Sequence, residues 1–269
     1  MRTTLVISTY ERLDALRAVL DTVARQRVLP SEVIIADDGS GPPTADVARI
    51  FAQRCGVPLT HVRQEHRGFR LTRLRNLAIR AASGEYLIFI DGDMLLHPEF
   101  VADHVLLARK NNFTQGVRIP LNALVTADWL TGASAVAKPP DTRSAGMRRL
   151  YGWHSPPIAA RLRRAANHVI AIKGCNQAYW RQDLIDVNGF NEAIEGWGPE
   201  DKELAARLQH AGVKRQSLLF GGIAWHLHHQ RAARDRRTAN EQLLQATLAN
   251  GVTRCEHGLD SQSPDNPVS

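Results

Sequence analysis

Between residues 4 and 100, four short apolar runs alternate with amphipathic stretches, and that alternation limits the chain to a small set of folds. The runs are Thr4 to Thr9, Glu32 to Ala36, Leu59 to Arg63 and Tyr86 to Ile90. Their length and their Val and Ile content read as buried strands. Between them, Arg12 to Arg25, Thr44 to Arg54 and Leu71 to Ala82 carry apolar residues at helical spacing. In the second of these, Val47, Ile50 and Phe51 are expected to face inward. Ser83-Gly84 closes the third, and Pro98 opens a further helix. Strand-helix repeats of this length predict an α/β domain with a mostly parallel sheet and helices on both faces. Ligands of such sheets bind at the carboxyl ends of the strands.

Two acidic motifs fall at those ends. Asp37-Asp38-Gly39-Ser40 follows the second strand and Asp91-Gly92-Asp93 follows the fourth. Residues two apart on an extended segment project the same way, so Asp91 and Asp93 are expected to converge. A hard cation such as Mg²⁺ or Mn²⁺, sharing phosphate oxygens, relieves their repulsion. Each motif also fits a simple turn, because Asp-Gly is a turn dipeptide. Later in the chain, Gly196-Trp197-Gly198-Pro199-Glu200-Asp201 runs into a helix, placing two carboxylates in a favourable first turn. Either acid could serve as a general base, and Trp197 offers a face for a sugar ring. His226, His228 and His229 follow a short strand. By alternation His226 and His228 share a face, although spacing alone does not choose the ligand.

The second half is less regular. Regular structure is expected to resume at Val169 to Ile172, and strands are predicted at Gln216 to Phe220 and Ile223 to His226. Helices are predicted near Arg181 to Val187, Glu200 to Ala211 and Ala239 to Asn250. The stretch 135–168 is rich in proline and arginine and reads as a basic insertion or loop. Residues 256–269 read as a disordered tail. The expected organisation is therefore 1–134, 135–168, 169–255 and 256–269.

Composition removes several classes. No apolar run approaches the roughly 18–20 residues of a membrane span. Three cysteines without close spacing support neither a disulfide framework nor a Cys-based zinc site. Phosphate-loop, dinucleotide-fingerprint and nucleophile-elbow motifs are missing. No secretory signal is legible at the amino terminus, so the chain is expected in the cytoplasm. The net charge of +7 points to an anionic partner. A nucleotidyltransferase and a basic nucleic-acid-binding module are the competing readings. The first would need a glycine-rich basic loop where Tyr10-Glu11-Arg12-Leu13 stands. The second sits badly with acidic motifs at strand ends, and nucleic acid is not the expected partner.

Taken in order, the motifs resemble family 2 glycosyltransferases of the GT-A fold. The resemblance rests on Leu5 to Arg12, Asp37 to Ser40, Arg75-Asn76 and Gly84 to Asp93. From Gly174-Cys175-Asn176 through Gly189-Phe190 to Asp201, the chain is similar to the carboxyl half of β-1,4-galactosyltransferases and chondroitin-type polymerases. The resemblance implies an inverting transferase that uses a UDP-sugar, with Mn²⁺ or Mg²⁺, on a glycan or lipid-linked acceptor. It implies that Asp37 and Asp38 hold uracil and ribose, with Thr9, Tyr10 and Arg12 lining that pocket and Arg75 beside the donor. Asp93 would ligate metal with His226, Asp91 assisting and His228 as the rival histidine. Asp201 would be the base, with Glu200 its neighbour and the runner-up. Trp197, Asn176 and Gly198 would border the acceptor. Pro199 and Lys202 depart from the galactosyltransferase pattern of glycine and acid. The arginine-rich stretch suggests peripheral association with anionic lipid at the inner membrane face.

Overall fold

The computed structural model describes residues 1–131, 152–162, 165–166, 169, 172–229 and 236–261. Its main sheet has eight strands in the order β3-β2-β1-β4-β9-β6-β10-β8. These are β1 (Thr3–Thr9), β2 (Glu32–Asp37), β3 (Leu59–Arg63), β4 (Tyr86–Asp91), β6 (Asn112–Gln115), β8 (Ala165–Ala166), β9 (Asn176–Trp180) and β10 (Lys214–Ser217). The first four pair in parallel, while β9 enters antiparallel between β4 and β6. A second sheet orders β5 (Met94–Leu96), β11 (Ile223–His226) and β7 (Val117–Pro120).

Why the first half folds this way follows from strand alternation. Leu5, Ile7, Val33, Ile35, Ile88 and Ile90 point into one core, shared with α1 (Leu13–Ala24), α2 (Pro43–Cys55) and the small sheet. Val6, Ile34, Ala36, Leu87 and Phe89 point into the other, shared with α3 (Leu71–Ala81), α7 (Arg181–Asp186) and α8 (Glu200–His210). With both faces covered, every residue of β1 is buried. Each such large apolar side chain contributes about 1.5–3 kcal/mol by leaving water. One inward assignment is corrected: Ile50 is 54% exposed, because α2 seats Val47, Ala48 and Phe51 instead.

The carboxyl half departs further from the sequence reading. Val169 and Ile172 lie outside any strand, residues 170–171 lie outside the described residues, and regular structure resumes with β9 at Asn176. β5, β6, β7, β9, α5 (Ala123–Leu130) and α6 (Pro156–Leu162) carry no clear apolar period. The helix after Pro98 is α4 (Phe100–Leu107). The last helix is α9 (Arg237–Asn250). The expected tail is corrected in part. Residues through Ser261 dock on the body: Arg80 donates to the carbonyl of Leu259, and Leu259 N donates to Asn188 O at 2.9 Å. The rest of the tail and most of the 135–168 insertion, including Arg143, Arg148 and Arg149, lie outside the described residues.

Candidate active site

Asp91 is the last residue of β4, and Gly92 then turns so tightly that its N–H reaches Ser8 O at 2.7 Å. A Cβ at Gly92 would meet that same carbonyl at 2.9 Å. The turn, which replaces the expected extended run, sends the two carboxylates to different partners. Asp91 Oδ1 accepts from Arg75 Nη2 at 3.2 Å. Asp93 faces the small sheet, where Met94 pairs with His226 and Leu227 N donates to Asp93 O at 2.9 Å.

There Asp93 Oδ2 lies 3.1 Å from His229 Nε2 and 3.5 Å from His226 Nε2, and the two imidazole nitrogens are 3.4 Å apart. These three side chains could hold one metal ion. The fit is supported by Asp93 Oδ1, which is buried with no hydrogen-bond partner. Burial opposes ionisation of Asp93, yet His229 and His226 outweigh it and hold the carboxyl below its usual range. Burial pushes His226 down to about 4, leaving its ring neutral with a lone pair to give. Two expectations are corrected. His228 does not join Asp93, because β11 ends at His226 and alternation fails beyond it, bringing His229 round instead. Asp91 stands outside the cluster, held by Arg75.

Arg75 is 1% exposed and joins Asp91 to Glu200. Besides Asp91 it reaches Glu200 Oε1 at 3.4 Å and Gly174 O at 3.3 Å. Its expected position beside the donor thus becomes a position behind the acids. Burial, with the neighbouring Asp201, pushes Glu200 up to about 8 against the pull of Arg75. Burial also raises Asp201, opposed by Arg75 and by the Lys202 N–H, which donates to Asp201 Oδ1 at 2.7 Å. Two adjacent acids with different environments can divide protonation between them at neutral pH.

At the other end of the strand edge, Asp37 is fully buried. Its carboxylate accepts from Ser40 N at 2.8 Å and pairs with His61 at 3.0 Å. This corrects the expectation that it touches a nucleotide: it shapes the loop instead. Asp38 sits with Gln64 and His66, and His66 stacks on Tyr10 with centroids 4.2 Å apart. Thr9 is buried and supports Asp38 through its carbonyl, at 3.0 Å from Asp38 N. Arg12 pairs with Asp14 at 3.1 Å, and its charge is felt at Asp93 and His226.

On the acceptor side, Trp197 is 37% exposed and Gly198 is pressed against Asn240, whose Nδ2 a Cβ would meet at 2.6 Å. Asn240 also donates to Glu195 O at 2.7 Å, tying this loop to α9. Asn176 is corrected: it is fully buried, donating to Val117 O and Gly222 O while His104 contacts its Oδ1 at 3.2 Å. It fastens strands and cannot border an acceptor. Sequence reasoning named His229 among three histidines but preferred His226 and His228, and it missed His66, Gln64 and Arg118. Of these, only the His226-to-His229 spacing carried a signal.

Comparison with known proteins bears on the family and the fold. The family model described as "Glycosyl transferase family 2" matches residues 4–186, and "N-terminal domain of galactosyltransferase" matches residues 158–230. The chondroitin synthase of Escherichia coli is 29% identical over 82% of this chain and 34% of its own length. The validoxylamine A glucosyltransferase of Streptomyces hygroscopicus subsp. limoneus is 31% identical over 77% of this chain and 48% of its own. The chain thus spans between a third and a half of these relatives. Among solved structures, the mannosyltransferase PcManGT from Pyrobaculum calidifontis, in complex with GDP-Man and Mn²⁺, superposes with TM-score 0.62. It shares 20% identity and covers 98% of this chain and 66% of that one.

Proposed function

The chain belongs to glycosyl transferase family 2 and has the GT-A fold, and from that premise we propose that it moves a hexose from a nucleotide sugar, UDP-linked by resemblance, to a hydroxyl of a glycan or lipid-linked acceptor. Synthesis of a bacterial cell-surface polysaccharide is the proposed setting. The observation that carries the reading is the Asp93–His226–His229 cluster beside the Arg75-linked acids at the end of β4.

Asp93, His226 and His229 would hold the divalent ion. Imidazole nitrogens in the donor set favour Mn²⁺ over Mg²⁺. When bound, the ion supplies charge neutralisation at the leaving diphosphate. Asp201 takes the proton from the acceptor hydroxyl; burial raises both acids, Glu200 to about 8, and Arg75 opposes the rise in each. Arg75 holds Asp91 and Glu200 at fixed spacing from behind. Tyr10, His66 and Asp38 form the shelf proposed for the base. Trp197 and Gly198 remain the proposed acceptor wall.

The test is release of nucleoside diphosphate from a panel of UDP- and GDP-sugars with Mn²⁺, Mg²⁺ or chelator. Turnover of one donor that chelator abolishes and Mn²⁺ restores is expected. Failure to bind or hydrolyse any nucleotide sugar in any metal condition would overturn the reading. No described helix is long and apolar enough to cross a membrane. Peripheral attachment through the basic surface belongs to the same proposal, and pelleting with anionic but not neutral vesicles at low salt checks it.

A further inference from the structure

One cation beside the site has no role in the account above. Arg118 lies on β7, opposite Ala224 in the register that places Pro120 opposite His226. It is half-buried, and its Nη1 points to the Cys175 thiol at 4.0 Å. Its Nε is buried without a hydrogen-bond partner. Among the described residues no carboxylate pairs with it within 4.0 Å. Its charge is nevertheless felt by Asp91, by Cys175 and by His226, so it lies within electrostatic reach of both the acidic strand end and the histidine cluster.

A guanidinium held partly out of water with donor capacity unspent is a ready partner for an anion. The surrounding acids do not supply it: Asp91 is committed to Arg75, and Asp93 to the two histidines. A planar fork of donors suits phosphate oxygens, which it can engage at two points. Resting on the glycosyltransferase reading, we propose that Arg118 is a second cationic contact for the donor's diphosphate, acting beside the Asp93–His226–His229 site. Such a contact strengthens as the leaving group gains charge, so it serves both binding and departure.

The test compares Arg118→Met and Arg118→Lys with the unaltered chain, using UDP, GDP and uridine as calorimetric probes, each with Mn²⁺ and with chelator. Circular dichroism and thermal melts establish that each variant is folded. Arg118→Met keeps most of the apolar stem, and among the described strands β7 pairs only with β11, which keeps the fold at low risk. The expected result is a loss of diphosphate affinity of about 10- to 100-fold in Arg118→Met, with and without metal, and no change for uridine. Arg118→Lys should recover part of it. A folded Arg118→Met that binds UDP and GDP within about twofold of the unaltered chain would overturn the assignment and leave Arg118 a packing residue. If the unaltered chain itself binds neither nucleotide with Mn²⁺, the glycosyltransferase reading fails, a result distinct from either outcome for the variants.

Discussion

The middles of strands β1, β2 and β4 are apolar on both faces, whereas β6 and β10 are built largely from Asn, Gln, Thr, Lys and Arg, and β9 opens on Asn-Gln. The first group is held by non-directional burial, which tolerates modest changes of shape. The second group is held by directed polar contacts inside the protein. Asn176 clamps two carbonyls, and Arg207, fully buried, pairs with Glu203 at 2.8 Å and donates to Val187 O and Gly189 O. The candidate site lies at the seam. The amino half supplies Asp91, Asp93 and Arg75, and the carboxyl half supplies Glu200, Asp201, His226 and His229. The contrast suggests that the carboxyl half positions chemistry by a network in which single losses are costly.

The sharpest challenge to that view is at the proposed base. Asp201→Asn should lower turnover by about 10²–10⁴-fold while leaving the melt nearly unchanged, read by nucleotide release and calorimetry. Near-full turnover would move the base to Glu200 or elsewhere. For stability, Arg207→Met should cost about 3–5 kcal/mol in denaturant unfolding, because Glu203 is left charged and buried. The double change Arg207→Met with Glu203→Gln should recover part of that loss. Conservative trimming in the amino half, such as Ile35→Val, should cost only about 0.5–1.5 kcal/mol. If the two costs were equal, the contrast between halves would be wrong.

At the cluster, His229→Ala should weaken Mn²⁺ binding by about 10–100-fold or more, while His228→Ala should leave it unchanged by titration calorimetry. The reverse pattern would restore the alternation argument. Acid should act through buried histidines: burial pushes His97 and His104 down to about 4. The unfolded chain then binds more protons than the folded one below about 6.5. Their contribution is intact above that value and is lost as pH falls through about 4, at up to about 1.4 kcal/mol per pH unit for each. His104→Gln should flatten the slope of unfolding free energy against pH in that window. The smallest effect is expected at Ile50→Ser, within about 0.5 kcal/mol, since its side chain is already in water.

The parallel strands were legible in the sequence because full burial writes itself as unbroken apolar runs, and the helices between them because one face must match the sheet. The acidic motifs were legible because strand ends are marked by the same runs. What stayed hidden is instructive. β9 begins Asn176-Gln177 and reads as loop, since its partners in β4 and β6 are remote in sequence. Asp37 and Asp38 look equivalent on paper, yet Ser40 and His61 consume the first.

By itself the sequence determined the α/β class, the order of the first four strands with their helices, and the motifs that mark the strand ends, because these depend on periodicities of two and 3.6 within short windows. Tertiary structure alone decided that Asp91 turns back to Arg75, that His229 rather than His228 joins Asp93, and that Arg118 comes to lie beside them. Those outcomes depend on a tight turn at Gly92, on where β11 ends and on the pairing of β7 with β11. Each is set by contacts between residues far apart in the chain, Gly92 with Ser8 and β11 with β5 and β7, which local pattern does not encode.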